Sequence, residues 1–540
     1  MRPRSAIVVA AAALALTGTT FPPVQAMAPS ATTGTIGTRS DAGAASSRFF
    51  GGRLPVSAPP ETRTIAPGVT VTSLTLGEKD ENDFWTVHVY LPRTIDGPLP
   101  TADTALGARP IAARVADALR EKGFEPRLEE VRTPEYADYP AGTLGWIVRV
   151  GAYETSTEAA QELSRLRAAG FAGGTRYTAQ DGTDPLAPQK VHIMRIDFDV
   201  FDGRVTAEYG ATLSTLEKLT DHLAETDALA GVNGQWFYDN APGGLFVSGG
   251  DLLTSATNGR GGVLLRKGGR TVDVDTFRST IRLRLDRTTA VLDAVNRLPG
   301  RVWNCGGIGG DLPTENPQHD LMCTDDSELV LFTPQWGPTT PSGAGAEVVL
   351  DVRNTVVAIH EQRGTAIPPG GSTIQATGDL ATWLLDHTAL GRRVKVIPRV
   401  INGDGDVVPL TKDTTIVQAG PTLVRDGRVS VNARSDGLIR EDTDQTFTYN
   451  WVVRGNPRTM MGVDEQGRLM LVVVDGRQAG YSEGLGIAQA AELMKLLGAW
   501  EAVNLDGGGS SVMATSEGIV NSPSDATGQR SLGNHIVVRR

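Results

Sequence analysis

From Lys190 onward the chain is written in short β-branched runs broken by turns, and this pattern limits its fold more than any other feature. The runs "VHIMRIDFDV", "GGVLLRKGG", "STIRLRLD", "ELVLFTP", "AEVVLDV", "TVVAIH" and "RVKVIPRV" follow one another with few helical stretches between them. Runs of this length, rich in Val and Ile and bounded by Gly, Pro and Asp, read as strands. "LSTLEKLTDHLAE" and "GIAQAAELMKLLGA" show the three-to-four spacing of an amphipathic helix most clearly. The expectation is a large α+β domain over residues 188–540 with an extensive mixed or antiparallel sheet. Residues from about 245 to 400 read as further strands of the same domain.

Upstream, between Phe84 and Ala179, a weak repeat appears. "FWTVHVY" followed by "IAARVADALREKGFEPRLEEV" matches "GWIVRVGAY" followed by "TEAAQELSRLRAAGFAGGTRYT". Each unit is an alternating strand, a helix, a Gly-Phe stop and a second strand. Ala113, Val115, Leu119 and Phe124 correspond in character to Ala160, Leu163, Leu166 and Phe171. Two such halves predict a small ferredoxin-like βαβ-repeat domain over 81–182, so the whole chain is α+β in class.

The start of the chain carries other information. Arg2 and Arg4 precede an apolar run from Ala6 to Leu16, and Val24-Gln25-Ala26 offers a cleavage site, which is the layout of a signal peptide over 1–26. The apolar run is well short of the roughly 20 residues a spanning helix needs, and no later span is expected once the signal is removed. Residues 27–80, rich in Ser, Thr, Ala, Gly and Pro, read as a linker, with one strand expected near Val69–Leu76. A secreted, extracellular or cell-wall location follows. Cys305 and Cys323, the two cysteines, are open to a single disulfide or to two buried thiols. The net charge of −11 and the lack of a Lys/Arg cluster argue against nucleic acid as a partner.

The residues that could do chemistry lie near the C-terminus. Asp475 and Asp506 each end an apolar strand pattern, at "LMLVVVDGR" and "AVNLDGGGSS". Gly507, Gly508 and Gly509 can turn successive N–H groups toward an anion, and Ser510 adds a hydroxyl. Arg458 and Arg477 can complete a phosphate site by bidentate contact. A tight turn capped by Asp506 accounts for the same residues. No Gly-Lys-Ser/Thr follows, so this is not a P-loop. "NGDGD" at 402–406 lacks the glycine and glutamate of a calcium loop and reads as a turn. The histidines, His360 and His387 among them, show no metal-ligand spacing. The pattern demands no cofactor and leaves a divalent cation at Asp475 or Asp506 open.

Two resemblances add to this reading. "WIVRVGAYETSTEAAQELSRLRAAGF" resembles the second half of a SPOR domain, a module that binds bacterial cell-wall glycan. That likeness implies peptidoglycan as a partner, met by sheet residues such as Trp146 and Tyr153, although Trp146 is equally readable as a core aromatic. "LAGVNGQWF", "AGPTLVRDG", "NPRTMMGVD", "VVVDGR" and "NLDGGGSS" occur in the order found in the phosphodiester glycosidase family, which the region from Lys190 to Arg540 resembles. "GQRSLGNHIVV" resembles that family's last strand.

Carried over by motif, the resemblance implies a substrate site drawn from Asn233 and Gly234, from Gly420, Pro421 and Arg425, and from Arg458 and Thr459. Asp475, Gly476 and Arg477 follow, then Asp506 with Gly507, Gly508, Gly509 and Ser510. Gly486 and Gln489 depart from the family pattern, which expects Thr and Glu there, and Gln235-Trp236-Phe237 departs in the first motif. The implied activity is an exported hydrolase that cleaves a sugar-1-phosphate diester in an envelope or extracellular glycopolymer. Asp506 or Asp475 would act as acid/base or nucleophile, with the arginines and glycine turn holding the leaving phosphate. Glu483 reads more readily as a solvated charge. The alternatives are a non-catalytic protein that binds cell-wall polysaccharide and a purely structural envelope protein.

Overall fold

The computed structural model describes residues 49–540 apart from 101–103, 258–259, 286–287, 304–311, 314–321 and 440–444. The signal peptide, the first part of the linker and Cys305 lie outside the described residues. Cys323 is disulfide-bonded.

Strand Leu469–Val474 shows how the main sheet is made. Its six residues are all buried, and they alternate between two cores. Leu469, Leu471 and Val473 enter one cluster, and Met470, Val472 and Val474 the other. A run apolar on both faces must lie inside a sheet that is covered twice. That sheet has eight strands in the order Val56–Ala66, Val69–Leu76, Gln189–Ile196, Leu469–Val474, Arg458–Val463, Glu501–Asn504, Thr422–Arg425 and Arg428–Val429. Every neighbouring pair is antiparallel.

One face packs on a second, five-stranded sheet through Val71, Met194, Val232, Met461, Val503 and Ile536. That sheet runs Gly518–Ile519, Met513–Thr515, Ala230–Asn233, His535–Arg539 and Arg204–Glu208. The opposite face of the eight-stranded sheet is covered by helix Ile487–Leu496, through Ile487, Ala490, Leu493 and Met494. Residues 245 to 400 supply the expected further strands, including the long pair Thr271–Leu285 and Val394–Asn402. "NGDGD" is the hairpin turn after Val394–Asn402, with Asp406 N donating to Asn402 Oδ1 at 2.8 Å.

The upstream repeat folds as its periodicity predicts. Its sheet runs Pro126–Thr133, Gly142–Tyr153, Trp85–Val89 and Gly173–Tyr177, all antiparallel. With helices Arg109–Glu121 and Ser156–Ala168 between strands, this is the ferredoxin-like order. Thr155 caps the second helix by accepting from Glu158 N, while Glu158 reaches back to Thr155 N, a full capping box. Val115, Leu119, Leu163 and Leu166 from the helices meet Val87, Val89, Val148 and Val150 from the sheet.

The strand expected at Val69–Leu76 is present, and one feature differs from expectation: Val56–Ala66, placed in the linker by composition, pairs with it in a hairpin that extends the main sheet. Val56–Ala66 is an almost wholly exposed edge, where Pro59 and Pro60 are tolerated because no further partner needs their N–H groups. Ser47–Arg540 form one compact unit. Gly455 N donates to Gln180 O at 2.9 Å, Arg149 Nη2 donates to the Tyr449 hydroxyl at 3.3 Å, and Ala137 N donates to Val431 O at 2.9 Å. Among the described residues no helix is long and apolar enough to cross a membrane.

Candidate functional site

The turn after strand Glu501–Asn504 is assembled by buried amides and hydroxyls around the backbone of Asp506. Asn233, at the end of strand Ala230–Asn233, donates from Nδ2 to Asp506 O at 2.8 Å. Its Oδ1 accepts from the Thr459 hydroxyl at 2.6 Å and from Val512 N at 3.1 Å. Asp506 N donates to Gly234 O at 3.1 Å, and Gly234 N donates to Asn534 O at 3.0 Å. Asn233, Gly234 and Thr459 thus lie beside the signature turn as expected. They are buried and satisfied by one another, so they hold the turn in place.

Within the turn the three glycines do different things. Gly507 N donates to Asp506 Oδ1 at 2.7 Å, and Gly508 N donates to Pro457 O at 2.9 Å. Two of the three N–H groups expected to face an anion are therefore committed inside the protein. Gly508 sits at φ +62°, and a Cβ there would lie 3.1 Å from Arg477 Nη2. A Cβ at Gly509 would lie 2.3 Å from both Arg530 Nη2 and Asp525 Oδ1. The glycines are needed because two guanidinium groups press onto this backbone.

The Asp506 carboxyl is pushed up to about 6, first by burial, while the Ser510 hydroxyl, Gly507 N–H, Arg530 and Arg477 pull the other way. Arg477 is itself in the left-handed region at φ 59°, an unusual conformation for a residue with a Cβ. Its Nε and Nη2 donate to Asn456 Oδ1 at 3.1 and 2.7 Å. Asn456 Nδ2 in turn donates to Asn450 O and Arg454 O at 2.8 and 3.0 Å, so one carboxamide fixes both the arginine and the neighbouring turn. Burial, then Arg454 and Arg530, lower the Arg477 guanidinium to about 10.

Arg477 lines a cavity of about 400 Å³. Trp85, Arg176 and Gln180 from the ferredoxin-like module form one wall, and Trp451 and Arg454 belong to the other. Among the described residues no Asp or Glu lines it. Residues from the upstream module thus meet the C-terminal motifs at one cavity, through long-range packing that leaves no spacing signal in the chain. Trp451, Arg454 and Arg176 escape the sequence reading for that reason. Asn456 and Asn534 stand inside the quoted motifs but are not among the residues the resemblance implies.

Other expected site residues are placed differently. Arg458 is fully buried. Its Nε donates to Leu485 O at 2.8 Å, its Nη2 to Trp451 O, and its guanidinium lies 4.7 Å from the Trp451 ring centroid. It braces the cavity wall from behind, and burial lowers it to about 9. Asp475 is buried with both oxygens engaged: Oδ1 accepts from Asn521 Nδ2 at 2.9 Å and Ser522 N at 3.0 Å. Oδ2 accepts from Ser522 N at 3.1 Å, with His192 Nε2 at 3.4 Å. Asp475 therefore pins the 521–522 loop.

Arg425 donates to Val274 O at 3.2 Å, in a separate pocket with Glu501 and Asp273. Its strand pairs at Val424 with Ala502, so it lies toward the far end of the signature strand. The five steps from Glu501 to Asp506 extend roughly 16 Å at strand rise. Glu483 is buried, not solvated, and accepts from Gly480 N at 2.5 Å and Gln180 Nε2 at 3.1 Å, with its carboxyl raised by burial. Around Asp475 the neighbours are N–H donors and around Asp506 they are cations and N–H donors, the reverse of what a divalent cation attracts. Among the described residues Glu217, His222 and His535 form a histidine-containing set of possible ligands, 313 residues apart in the chain at its two histidines.

Residues 346–539 match the family model for phosphodiester glycosidase. N-acetylglucosamine-1-phosphodiester alpha-N-acetylglucosaminidase of Bos taurus is 33% identical over 104 residues, 19% of this chain and 19% of that protein. The protein of the same name in Mus musculus is 31% identical over 104 residues, 19% and 20% of the two chains. The matches thus span about a fifth of the length of these relatives. Among solved structures, a Burkholderia pseudomallei K96243 protein named as a candidate exported protein is 30% identical. The alignment covers 91% of this chain and 99% of that one, with a TM-score of 0.79. A hypothetical protein from Synechocystis, 15% identical over 90% of this chain and 81% of its own, shares the fold at a TM-score of 0.51.

Proposed function

We propose that this chain, of one family with the Burkholderia pseudomallei protein and matched by the phosphodiester glycosidase model over residues 346–539, hydrolyses glycosyl phosphodiesters. The observation that carries the reading is Asp506: a half-buried carboxyl raised to about 6, in a turn onto which Arg477 presses at the edge of a cavity lined by Arg454, Trp451 and Trp85.

The reaction breaks the bond between the anomeric carbon and the phosphate oxygen and adds water across it. The departing phosphate monoester is already a stable anion, so proton donation to it matters less than holding its charge. Arg477 and Arg454 supply that positive field in a cavity where burial strengthens it. The demand for a carboxylate falls at the anomeric carbon, where positive charge develops and water or a nucleophile attacks. Asp506 takes that role in its ionised form. Asp475 and Arg458 act through others, as positioning residues for the 521–522 loop and for Trp451. The envelope setting, export and glycan binding by the SPOR-like module belong to the same proposal. Trp146 is half-buried against the module's core, with Arg109 5.2 Å from its ring centroid.

The test is release of free sugar from a panel of sugar-1-phosphodiesters and wall polymers, with Asp506→Asn as control. Release by the parent chain and its loss in the variant is the expected result. No release across the panel, with retained polymer binding, favours a non-catalytic binding protein.

A further inference from the structure

Away from the Asp506 turn, two buried histidines meet on elements that the sequence holds far apart. His222 lies in helix Leu219–Thr226, and His535 begins strand His535–Arg539. Their rings stack with centroids 4.7 Å apart. Glu217, just before the helix, completes a set whose three possible ligand atoms all lie within 4.8 Å of one another. Its backbone is fixed there by Leu532, with Glu217 N donating to Leu532 O at 3.0 Å and Leu532 N to Glu217 O at 2.8 Å.

His535 is the residue that points to a ligand. It is fully buried, and neither ring nitrogen makes a hydrogen bond among the described residues. A neutral imidazole carries one donor and one acceptor, and leaving both unmet in a core is costly. Its Nε2 stands 3.9 Å from Glu217 Oε2, beyond hydrogen-bond reach. His222 supplies the other half. Its Nδ1 lies 2.8 Å from Glu217 Oε2 and its Nε2 3.0 Å from Glu208 Oε2. Arg539 grips Glu208 through two contacts of 2.6 Å. The Glu208 contact holds a proton on Nε2, so Nδ1 is the nitrogen turned toward Glu217. A carboxylate behind a ligating histidine is the common way to orient its ring toward a metal. Ligands 2.0–2.1 Å from a tetrahedral ion sit about 3.3 Å from one another. The separations of 2.8 and 3.9 Å bracket that value.

We propose that Glu217, His222 Nδ1 and His535 Nε2 form a binding site for a zinc-class divalent cation, with Glu208 holding the His222 ring and a fourth position left to water. Two imidazole nitrogens and one carboxylate select zinc over calcium or magnesium, which take oxygen ligands. The Glu217 side chain is 16% exposed, which gives the ion a way in. The ion replaces the proton shared by His222 Nδ1 and Glu217 Oε2, so one proton leaves to solvent as it binds. Its effect is to tie helix to sheet. His535 pairs with Asn233 on one side and Glu208 on the other, and Asn233 holds the Asp506 turn. The ion thus braces the scaffold behind that turn without touching a substrate, and the site stands whether or not the chain is a hydrolase.

The test is calorimetric titration of the chelator-treated full chain with zinc chloride, alongside thermal melts with and without the ion. The parent takes up one equivalent of zinc and melts higher in its presence. Glu208→Gln weakens zinc by roughly 10- to 100-fold, the usual worth of a partner behind a ligand, and His535→Gln and Glu217→Gln weaken it further. His387→Gln, at an exposed histidine, changes nothing. Cobalt(II) in place of zinc gives the visible absorption of a four-coordinate site, and the same variants lose it. Where His535→Gln does not fold, Glu217→Gln decides, since its side chain is partly open to solvent. A folded parent that binds no zinc, or equal zinc affinity in the parent and folded Glu217→Gln, overturns the site. Calcium binding as tight as that of zinc overturns it as well. None of these measurements involves a diester, so their failure leaves the glycosidase reading untouched.

Discussion

Asp506 carries the largest functional weight of any single residue, and its environment makes two measurable demands. If its ionised form attacks or activates water at the anomeric carbon, kcat/KM rises with pH through about 6, the value to which burial pushes it. Asp506→Asn should then lower kcat/KM by roughly 10²- to 10⁴-fold, the ordinary worth of a positioned acid or base. A profile that falls as pH rises through about 6 would instead make the protonated acid the active form. The same residue affects stability. Its folded pKa lies above the reference value of 3.8. Burial is therefore without penalty below that pH and becomes a cost as pH rises toward about 6. At neutral pH the cost approaches about 3 kcal/mol. Asp506→Asn removes the cost while Asn Oδ1 can still accept from Gly507 N–H. The variant should melt higher than the parent at pH 7, with the difference vanishing by pH 4. Parallel melting curves at both pH values would refute this account of the group.

At the scale of elements, the segment 450–456 decides whether the site is formed, because it brings Trp451 and Arg454 to the cavity and holds Arg477 through Asn456. Asn456→Ala deletes four hydrogen bonds at once, two of them to the part-buried carbonyls of Asn450 and Arg454. Leaving those groups unpaired costs about 1–3 kcal/mol. We expect a fold that survives, a kcat/KM lowered by about 10- to 100-fold as Arg477 loses its orientation, and a KM raised more than kcat is lowered. An unchanged KM would place Arg477 outside substrate binding. This segment also marks the limit of what the chain discloses. The signature turn is legible because strand pattern, acid and glycines are contiguous, and the ferredoxin-like module because helix periodicity and Gly-Phe stops recur. Arg458 and Arg425 have the right chemistry for phosphate, but register and burial direct one behind Trp451 and the other toward the far end of its sheet neighbour. Nothing in local sequence encodes that choice. Arg176 joins the cavity from nearly 300 positions away, which only tertiary packing can report.

At the scale of the whole molecule, the question is whether residues 188–540 can stand alone, as composition proposes. The main sheet argues against it. Hairpin Val56–Leu76 covers strand Gln189–Ile196 along eight paired residues, and Val71, Leu74 and Leu76 fill both cores of the sheet. The inner strand, Val69–Leu76, is legible in the sequence, while the outer one is hidden because it is polar, proline-bearing and exposed, as an edge strand can be. Without the hairpin, Gln189–Ile196 becomes an open edge carrying Val191, Ile193, Met194 and Ile196, the kind of surface that pairs with other chains. Loss of the ferredoxin-like module would further leave Glu483 without Gln180, and Tyr449 without Arg149. A chain of residues 188–540 should therefore aggregate or unfold well below the parent, whereas residues 49–540 should run as one species and unfold in a single transition. Size-exclusion chromatography and chemical denaturation of both chains decide the point. A monomeric, cooperatively folded 188–540 chain with full diester turnover would show that the upstream module is only an appended domain. It would also remove Arg176 from the site, since that chain would reach full activity with one wall of the cavity gone.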